Sequence, residues 1–173
     1  ISLGYDRQFF ISKERLSAGV IMINDQSGDE KLAVNKIFVS GAYHKPIGKS
    51  ALHIGIQGGY VMKSYNTSKM TFPNQFDFSK GEFNNSLPNN EKSLGDQTSY
   101  IDMNSGLIWS GNFGKFQPEV GFAVFHLIQP KESFRGKNNK LPMRNVFHYG
   151  GKIDMNEKFF LMPNVLYMSH SSA

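Results

Sequence analysis

The sequence predicts an all-β fold, an antiparallel transmembrane β-barrel of the outer-membrane type. Three observations predict it: apolar and polar residues alternate in stretches of about ten, connections are alternately short and long, and aromatic residues lie near the stretch ends. The alternation is clear where His53 and Gly55 separate Leu52, Ile54 and Ile56. Successive side chains of a strand point to opposite faces. Because the polar faces are thin and rich in glycine, we expect the apolar face to meet lipid.

The alternation predicts about eight strands. Their expected bounds are Ser2–Ile11, Leu16–Asn24, Ala33–Lys45, Ala51–Tyr65, Thr98–Ser110, Phe116–Leu127, Met143–Ile153 and Phe159–His170. Tight turns are expected at Ser12–Arg15, Pro46–Ser50, Gly111–Lys115 and Asp154–Lys158, and longer polar loops at Asp25–Leu32, Asn66–Gln97 and Ile128–Pro142. Outer-membrane barrels have short turns in the periplasm and long loops outside. The sequence therefore predicts which end of each strand faces which compartment.

Aromatic residues are expected to form a girdle at each membrane interface. Those near the short turns are Phe9, Tyr43, Trp109, Phe116 and Phe159; those near the long loops are Tyr65, Tyr100, Phe125 and Tyr167. The alternative interpretation is that the rings fill the core of a soluble β-sandwich.

Length and composition restrict the remaining classes. The 173 residues are expected to form one partial barrel domain, 1–173, with a long outer loop at about 66–97. Mean hydropathy is −0.38 and no apolar run approaches the length of a membrane-spanning helix. The absence of cysteine excludes thiol catalysis and disulfides. The net charge of +5 comes from scattered lysines and arginines near strand ends rather than a stripe, so no nucleic-acid partner is expected.

Strand direction predicts where the termini lie. The first strand precedes a short turn and so runs toward the periplasm, which places Ile1 outside; by the same count Ala173 also ends outside. Complete barrels of this type keep both termini in the periplasm. We therefore expect the sequence to be an internal piece that lacks at least one strand at each end, and whose open edges prevent a stable closed barrel on its own.

Motifs for catalysis, cofactors and metals are weak. Gly48-Lys49-Ser50 resembles the end of a phosphate-binding loop, but Tyr43 occupies the place of its first glycine. The segment Asn24–Glu30 is rich in oxygen ligands without the spacing of a calcium loop. The five histidines show no zinc-site spacing. We expect no enzyme activity, no cofactor and no metal, and the sequence identifies no small-molecule substrate.

Polar residues within the strands are expected to line a hydrated interior. Gln57, Asp102 and Asn104 are the expected lumen-facing residues. Asp6 and Glu119 lie on polar faces of other strands, which favours a hydrated lining over paired catalytic carboxylates.

The segment Asn66–Gln97 is the expected site of specificity, because long loops in compact domains are usually functional or disordered. It carries a cluster of apolar residues predicted to bind a partner: Met70, Phe72, Phe76, Phe78 and Phe83. The rings could instead plug the lumen, an alternative favoured because apolar rings are seldom exposed to water.

Several segments, in order, resemble the PorP/SprF family of type IX secretion system outer-membrane proteins from Bacteroidetes. They are Gly4-Tyr5-Asp6, Ala18–Asp25 leading to Gly28, Leu52–Tyr60, Asn74–Asp77, Tyr100–Gly106, Gly121–Pro130, His148–Gly151 and Pro163–Tyr167. The most specific are the His-x-x-Gln-Pro after a strand and the Asn-Asp-x-x-Gly loop. The family's opening Asn-Pro-Ala-Tyr-Ala-Gly segment and its C-terminal part are absent.

The resemblance implies an outer-membrane component of type IX secretion and gliding motility. Such a protein would help deliver or anchor secreted surface proteins, with this cargo and other secretion and motility components as partners and outer-membrane lipid around it. Two alternatives remain open: a passive porin-like transport barrel and a soluble ligand-binding β-sandwich. A barrel lipase is disfavoured because Ser169 and His170 are adjacent in one strand and point to opposite faces.

Overall fold

The computed structural model describes residues 1–27, 32–64, 72–84, 86–88, 97–133 and 139–171. They form one large antiparallel sheet and one small hairpin. The long strands are β1 (Ser2–Ile11), β2 (Glu14–Ser27), β3 (Leu32–Ile47), β4 (Ser50–Ser64), β7 (Gln97–Gly111), β8 (Phe116–Phe125), β9 (Arg144–Asp154) and β11 (Asn164–His170). The two-residue strands are β5 (Phe76–Asp77), β6 (Glu82–Phe83) and β10 (Phe160–Leu161). The prediction of an all-β antiparallel fold with about eight strands is confirmed.

Two connections differ from expectation. β2 and β3 stay paired as far as Ser27 and Leu32, so the connection expected at Asp25–Leu32 is only the segment 28–31, which lies outside the described residues. Polar residues continue these strands by pairing with each other, and Asn24 Nδ2 donates to Asn35 Oδ1 at 2.6 Å. The last expected strand is split into β10 and β11, because Pro163 has no N–H to donate to the ladder.

Each long strand is hydrogen-bonded to its neighbours in chain order. The sheet order is β1-β2-β3-β4-β7-β8-β9, and β10 and β11 both pair with β9. Within the described ranges, β1 pairs only with β2 and β11 only with β9, so the sheet has two open edges. The same ranges contain no helix long and apolar enough to cross a membrane.

The register sorts the side chains into two faces. We call the apolar face the one that contains two cross-strand rows: Leu3, Met22, Ile37, Tyr60 and Ile101, and farther along Tyr43, Ile54, Leu107, Phe122, Phe147 and Tyr167. Most of these side chains are exposed. The opposite face, called the polar face, carries Asp6, Ser17, Ser40, His53, Gln57, Asn104, Glu119 and His148 among smaller residues.

The sheet has almost no protein core. Val61, 2% exposed, is the one buried hydrophobic side chain among the residues that the structure describes. A sandwich would need a second sheet packed on the first; in the described part of the chain the second sheet is only the β5-β6 hairpin. No described residue outside the sheet therefore forms a layer that covers the apolar face.

The rings expected to form aromatic girdles share the apolar face at one end of the sheet only. Near the short turns, Phe9, Tyr43 and Trp109 lie on the apolar face. At the other end, Tyr100 and Phe125 lie on the polar face. Tyr167 falls in the same row as Tyr43, and Tyr65 lies outside the described residues. The girdle predicted near the long loops was thus wrong for its described members, because proximity to a strand end does not decide which face a ring occupies. Tyr5 and Tyr60 are apolar-face tyrosines in that half of the sheet.

The tight turns are built by left-handed backbone at their centres. Ser12 has φ of 56°, Gly48 of 59° and Gly114 of 76°. Two-residue hairpin loops require such positive φ to match the twist of their strands. These turns hold neighbouring strands in fixed register, and this register sets which side chains lie next to each other on the polar face.

Candidate functional site

The long connection between β4 and β7 contains a small folded unit that begins with a 3-10 turn at Pro73–Gln75 and continues into β5 and β6. The buried Gln75 side chain organises it. Its Oε1 accepts the Phe72 N–H at 3.1 Å, and its Nε2 donates to the Leu87 carbonyl at 3.1 Å. The Asn84 N–H donates to the Gln75 carbonyl at 2.8 Å, which closes the unit. This segment is therefore ordered by its own polar contacts.

Three of the predicted partner-binding rings form one cluster on this unit. The Phe76 ring lies 5.1 Å from the rings of both Phe78 and Phe83, each in an edge-to-face arrangement. Phe78 is 89% exposed and Phe83 is 52% exposed, whereas Phe72 is half-buried at the start of the unit. Met70 lies outside the described residues. Phe78 is thus the most exposed ring of the cluster.

The turn between the two short strands is fixed by a carboxylate. Asp77 Oδ1 accepts the Ser79 N–H at 2.9 Å and the Ser79 hydroxyl at 2.5 Å. The hydroxyl bond is the main cause that lowers the Asp77 pKa below its ordinary value. An ionised Asp77 thus holds the turn that presents Phe78.

The three predicted lumen-facing residues lie together on the polar face. Asn104 Nδ2 donates to Gln57 Oε1 at 2.9 Å, and Asn104 Oδ1 accepts the His126 N–H at 3.1 Å. Asp102, only 3% exposed, has Oδ2 2.9 Å from His126 Nδ1. Buried polar groups need such partners. Asp102 and Asn104 therefore anchor the segment after β8, while their position in a lumen stays a prediction.

The segment after β8 is tied to the sheet at further points. The Leu127 N–H donates to the Met103 carbonyl at 2.9 Å. Lys63 on β4 forms a partly buried ion pair with Glu132. The segment that follows β8 is thus held over the same end of the sheet from which the aromatic hairpin emerges. His126 and Glu132 were not among the predicted site residues, because their partners are distant in sequence.

A row of histidines and serines crosses four strands of the polar face, near the short turns. Ser17 Oγ lies 2.8 Å from His44 Nε2, His44 Nδ1 lies 2.7 Å from His53 Nδ1, and His53 Nε2 lies 3.0 Å from Ser110 Oγ. The contact between His44 and His53 was not predicted from the sequence, although the turn at Gly48 sets these two residues opposite each other.

A second contact on this face uses a glycine notch. His148 Nε2 lies 3.1 Å from Glu119 Oε1. The imidazole lies over Gly121, where an added Cβ would come within 2.0 Å of His148 Cε1. Within the described ranges no three histidine, aspartate or glutamate side chains converge as a metal site. The polar face is thus a hydrogen-bonding surface.

The comparisons with known proteins give one family. The model of the type IX secretion system membrane protein PorP/SprF matches residues 2–173. Neither the curated proteins nor the solved structures contain a match. The family is a membrane component of a secretion machinery rather than an enzyme family. With nearly the whole sequence matched, the chain belongs to the PorP/SprF family of type IX secretion system membrane proteins.

Proposed function

We propose that this chain forms part of an outer-membrane β-barrel that helps deliver or anchor secreted surface proteins of the type IX system. The long connection after β4 would be the contact with cargo. The observation that carries the proposal is the aromatic cluster of Phe76, Phe78 and Phe83, in which Phe78 and Phe83 are exposed. Among the described residues, its hairpin pairs with no strand of the large sheet. Exposed rings on a rigid support are the usual anchors of protein interfaces.

The membrane placement is supported by the apolar face. Its rows continue across the long strands, and the described residues offer no second layer to cover them. Lipid would solvate such a face without the free-energy cost of exposing apolar side chains to water. The short turns would then face the periplasm and the β5-β6 hairpin the outside.

A porin-like transport barrel is the rival function, and one observation favours it. The polar face carries an open groove of about 660 Å³ whose lining includes His44, His53, Gln57, Asn104 and Glu119. In a closed barrel this groove would lie on the lumen side. A transport role would need solute flux through the full-length protein and would not need the aromatic hairpin.

The test replaces Met70–Phe83 with a Gly/Ser linker in the full-length protein and measures outer-membrane assembly and the pull-down of secreted cargo. A sharper variant changes Phe78→Ser and Phe83→Ser together, which removes the exposed rings and leaves Gln75 in place. The matched control is Phe159→Ser, which removes an exposed ring, 68% exposed, from the short turn between β9 and β10.

We expect the double variant to assemble normally and to lose at least tenfold in cargo recovery, because hot-spot rings contribute 2 kcal/mol or more, or about thirtyfold. The control should retain cargo. Lost assembly of both the linker and double variants would make the segment a structural plug. Retained assembly with retained cargo would move the partner site away from the hairpin, and solute flux without cargo binding would favour the transport role.

A further inference from the structure

Four turns at one end of the sheet each combine a lysine with exposed apolar side chains. The lysines are Lys13, Lys49, Lys115 and Lys158, one in each of the turns β1-β2, β3-β4, β7-β8 and β9-β10. Their exposed apolar neighbours are Phe10, Ile11, Ile47, Phe113, Phe116, Met155 and Phe159. The four turns lie at one end of the sheet, because all the long strands are antiparallel in chain order. We call this end the lysine rim.

In the described part of the chain, the rim lysines form no ion pair with a carboxylate. Two other lysines at this end are paired: Lys45 Nζ lies 3.6 Å from Glu14 Oε1, and Lys152 Nζ lies 2.6 Å from Asp154 Oδ1. Among the described residues, no ion pair includes a lysine of the rim. Glu157, next to Lys158, is the one carboxylate within the turns themselves. The rim therefore carries an excess of positive charge.

We infer that the lysine rim binds the phosphate groups of anionic phospholipids at the membrane surface. The inference rests on the membrane placement proposed above. A lysine places its ammonium group among headgroups while its stem and neighbouring rings lie in the apolar boundary. Charge complementarity thus accounts for the lysines, and the apolar boundary accounts for the side chains beside them.

The spacing of the lysines favours a lipid surface over a compact anionic ligand. The four turns extend across the sheet. The long strands β3, β4, β7 and β8 lie between the first turn, β1-β2, and the last, β9-β10. Neighbouring strands are about 4.8 Å apart, so one small anion cannot reach all four ammonium groups. A lipid surface offers a phosphate to each turn. A soluble anion would also have no use for the exposed rings.

The experiment compares lipid selectivity of full-length variants in vesicles of neutral phosphatidylcholine with and without phosphatidylglycerol. The probe is a spin-labelled phosphatidylglycerol, and its association with the protein is measured relative to spin-labelled phosphatidylcholine. The rim variant is K13Q/K49Q/K115Q. The matched control, K80Q/K131Q/K140Q, removes the same charge from exposed lysines near the long connections.

We expect the wild type and the control to prefer phosphatidylglycerol at least threefold, and the rim variant to lose most of that preference. A lysine near an anionic surface strengthens binding about fivefold. The measured preference is smaller because it averages over all the lipids that contact the protein. The variant K13R/K49R/K115R keeps the charge and should keep the preference, which separates lost charge from lost structure.

Two results would overturn the inference while the membrane placement survives. Equal preference in the rim variant and the wild type would show that the lysines do not bind the lipid. Equal loss in the rim and control variants would show only a general charge effect. Failure of the wild type to enter neutral vesicles would instead contradict the proposed membrane placement, and the inference with it.

Discussion

Whether the apolar face contacts lipid can be tested by placing one arginine on each face of β4. Ile56 is 66% exposed on the apolar face and lies six residues from Ser50 and eight from Ser64. At about 3.3 Å per residue and a tilt of about 45°, these distances correspond to roughly 14 and 19 Å along the membrane normal. In the proposed membrane placement, Ile56 would lie close to the middle of an apolar band about 25 Å tall.

Ile56→Arg should lower the unfolding free energy of the full-length protein in vesicles by about 2–4 kcal/mol, since arginine at the midplane of a lipid face costs this much. The control is Gln57→Arg, one residue along the strand and on the polar face. It removes the 2.9 Å contact with Asn104, worth about 0.5–1.5 kcal/mol.

The assay is a denaturant titration of the vesicle-inserted protein, followed by tryptophan fluorescence, and a Trp109→Phe variant of the full-length protein isolates the signal of Trp109. Trp109 lies on the apolar face and should report the transfer from lipid to water. The reasoning would be refuted if both variants lost the same free energy, or if Gln57→Arg cost more than Ile56→Arg.

Two further substitutions test contacts on the polar face and at the long-connection end. Gly121→Ala should destabilise the protein by about 1–3 kcal/mol through overpacking, because the new methyl displaces the imidazole of His148. The control Gly55→Ala, where an added Cβ has its nearest atom 3.9 Å away, should leave the unfolding free energy unchanged in the same denaturant titration. Equal losses in the two variants would show that the close approach of His148 to Gly121 does not affect stability. Lys63→Glu should cost about 1–3 kcal/mol, since it sets two carboxylates against each other at a partly buried site. Adding Glu132→Lys to the Lys63→Glu variant should restore the ion pair and the protease resistance of the segment after β8. A double variant as sensitive to protease as Lys63→Glu would argue against the pair.

Much of the fold follows from the sequence because strand alternation and tight-turn chemistry are local. A two-residue turn at Gly48 and Lys49 fixes the whole register of β3 and β4, including His44 against His53. The family resemblance was likewise readable from ordered motifs, and the match to residues 2–173 confirms it.

The parts that could not be predicted depend on contacts between distant residues. The ion pair of Lys63 with Glu132 and the contact of Asp102 with His126 join strands and loops that alternation does not relate. The hairpin at β5 and β6 was missed because its strands are two residues long, and the buried amide of Gln75 rather than a hydrophobic pattern organises it.

The most direct test of the central claim is surface labelling of single cysteines in intact cells. Residues 1–173 contain no cysteine; Ser79→Cys in the aromatic hairpin and Ser12→Cys in the β1-β2 turn each add one reporter, and the unsubstituted full-length protein gives the background labelling. The measurement is the reaction of each variant of the full-length protein with a membrane-impermeant maleimide. The account predicts that Ser79→Cys is labelled in intact cells and that Ser12→Cys is labelled only after the outer membrane is permeabilised. Labelling of Ser12→Cys alone in intact cells, or equal labelling of both, would contradict it.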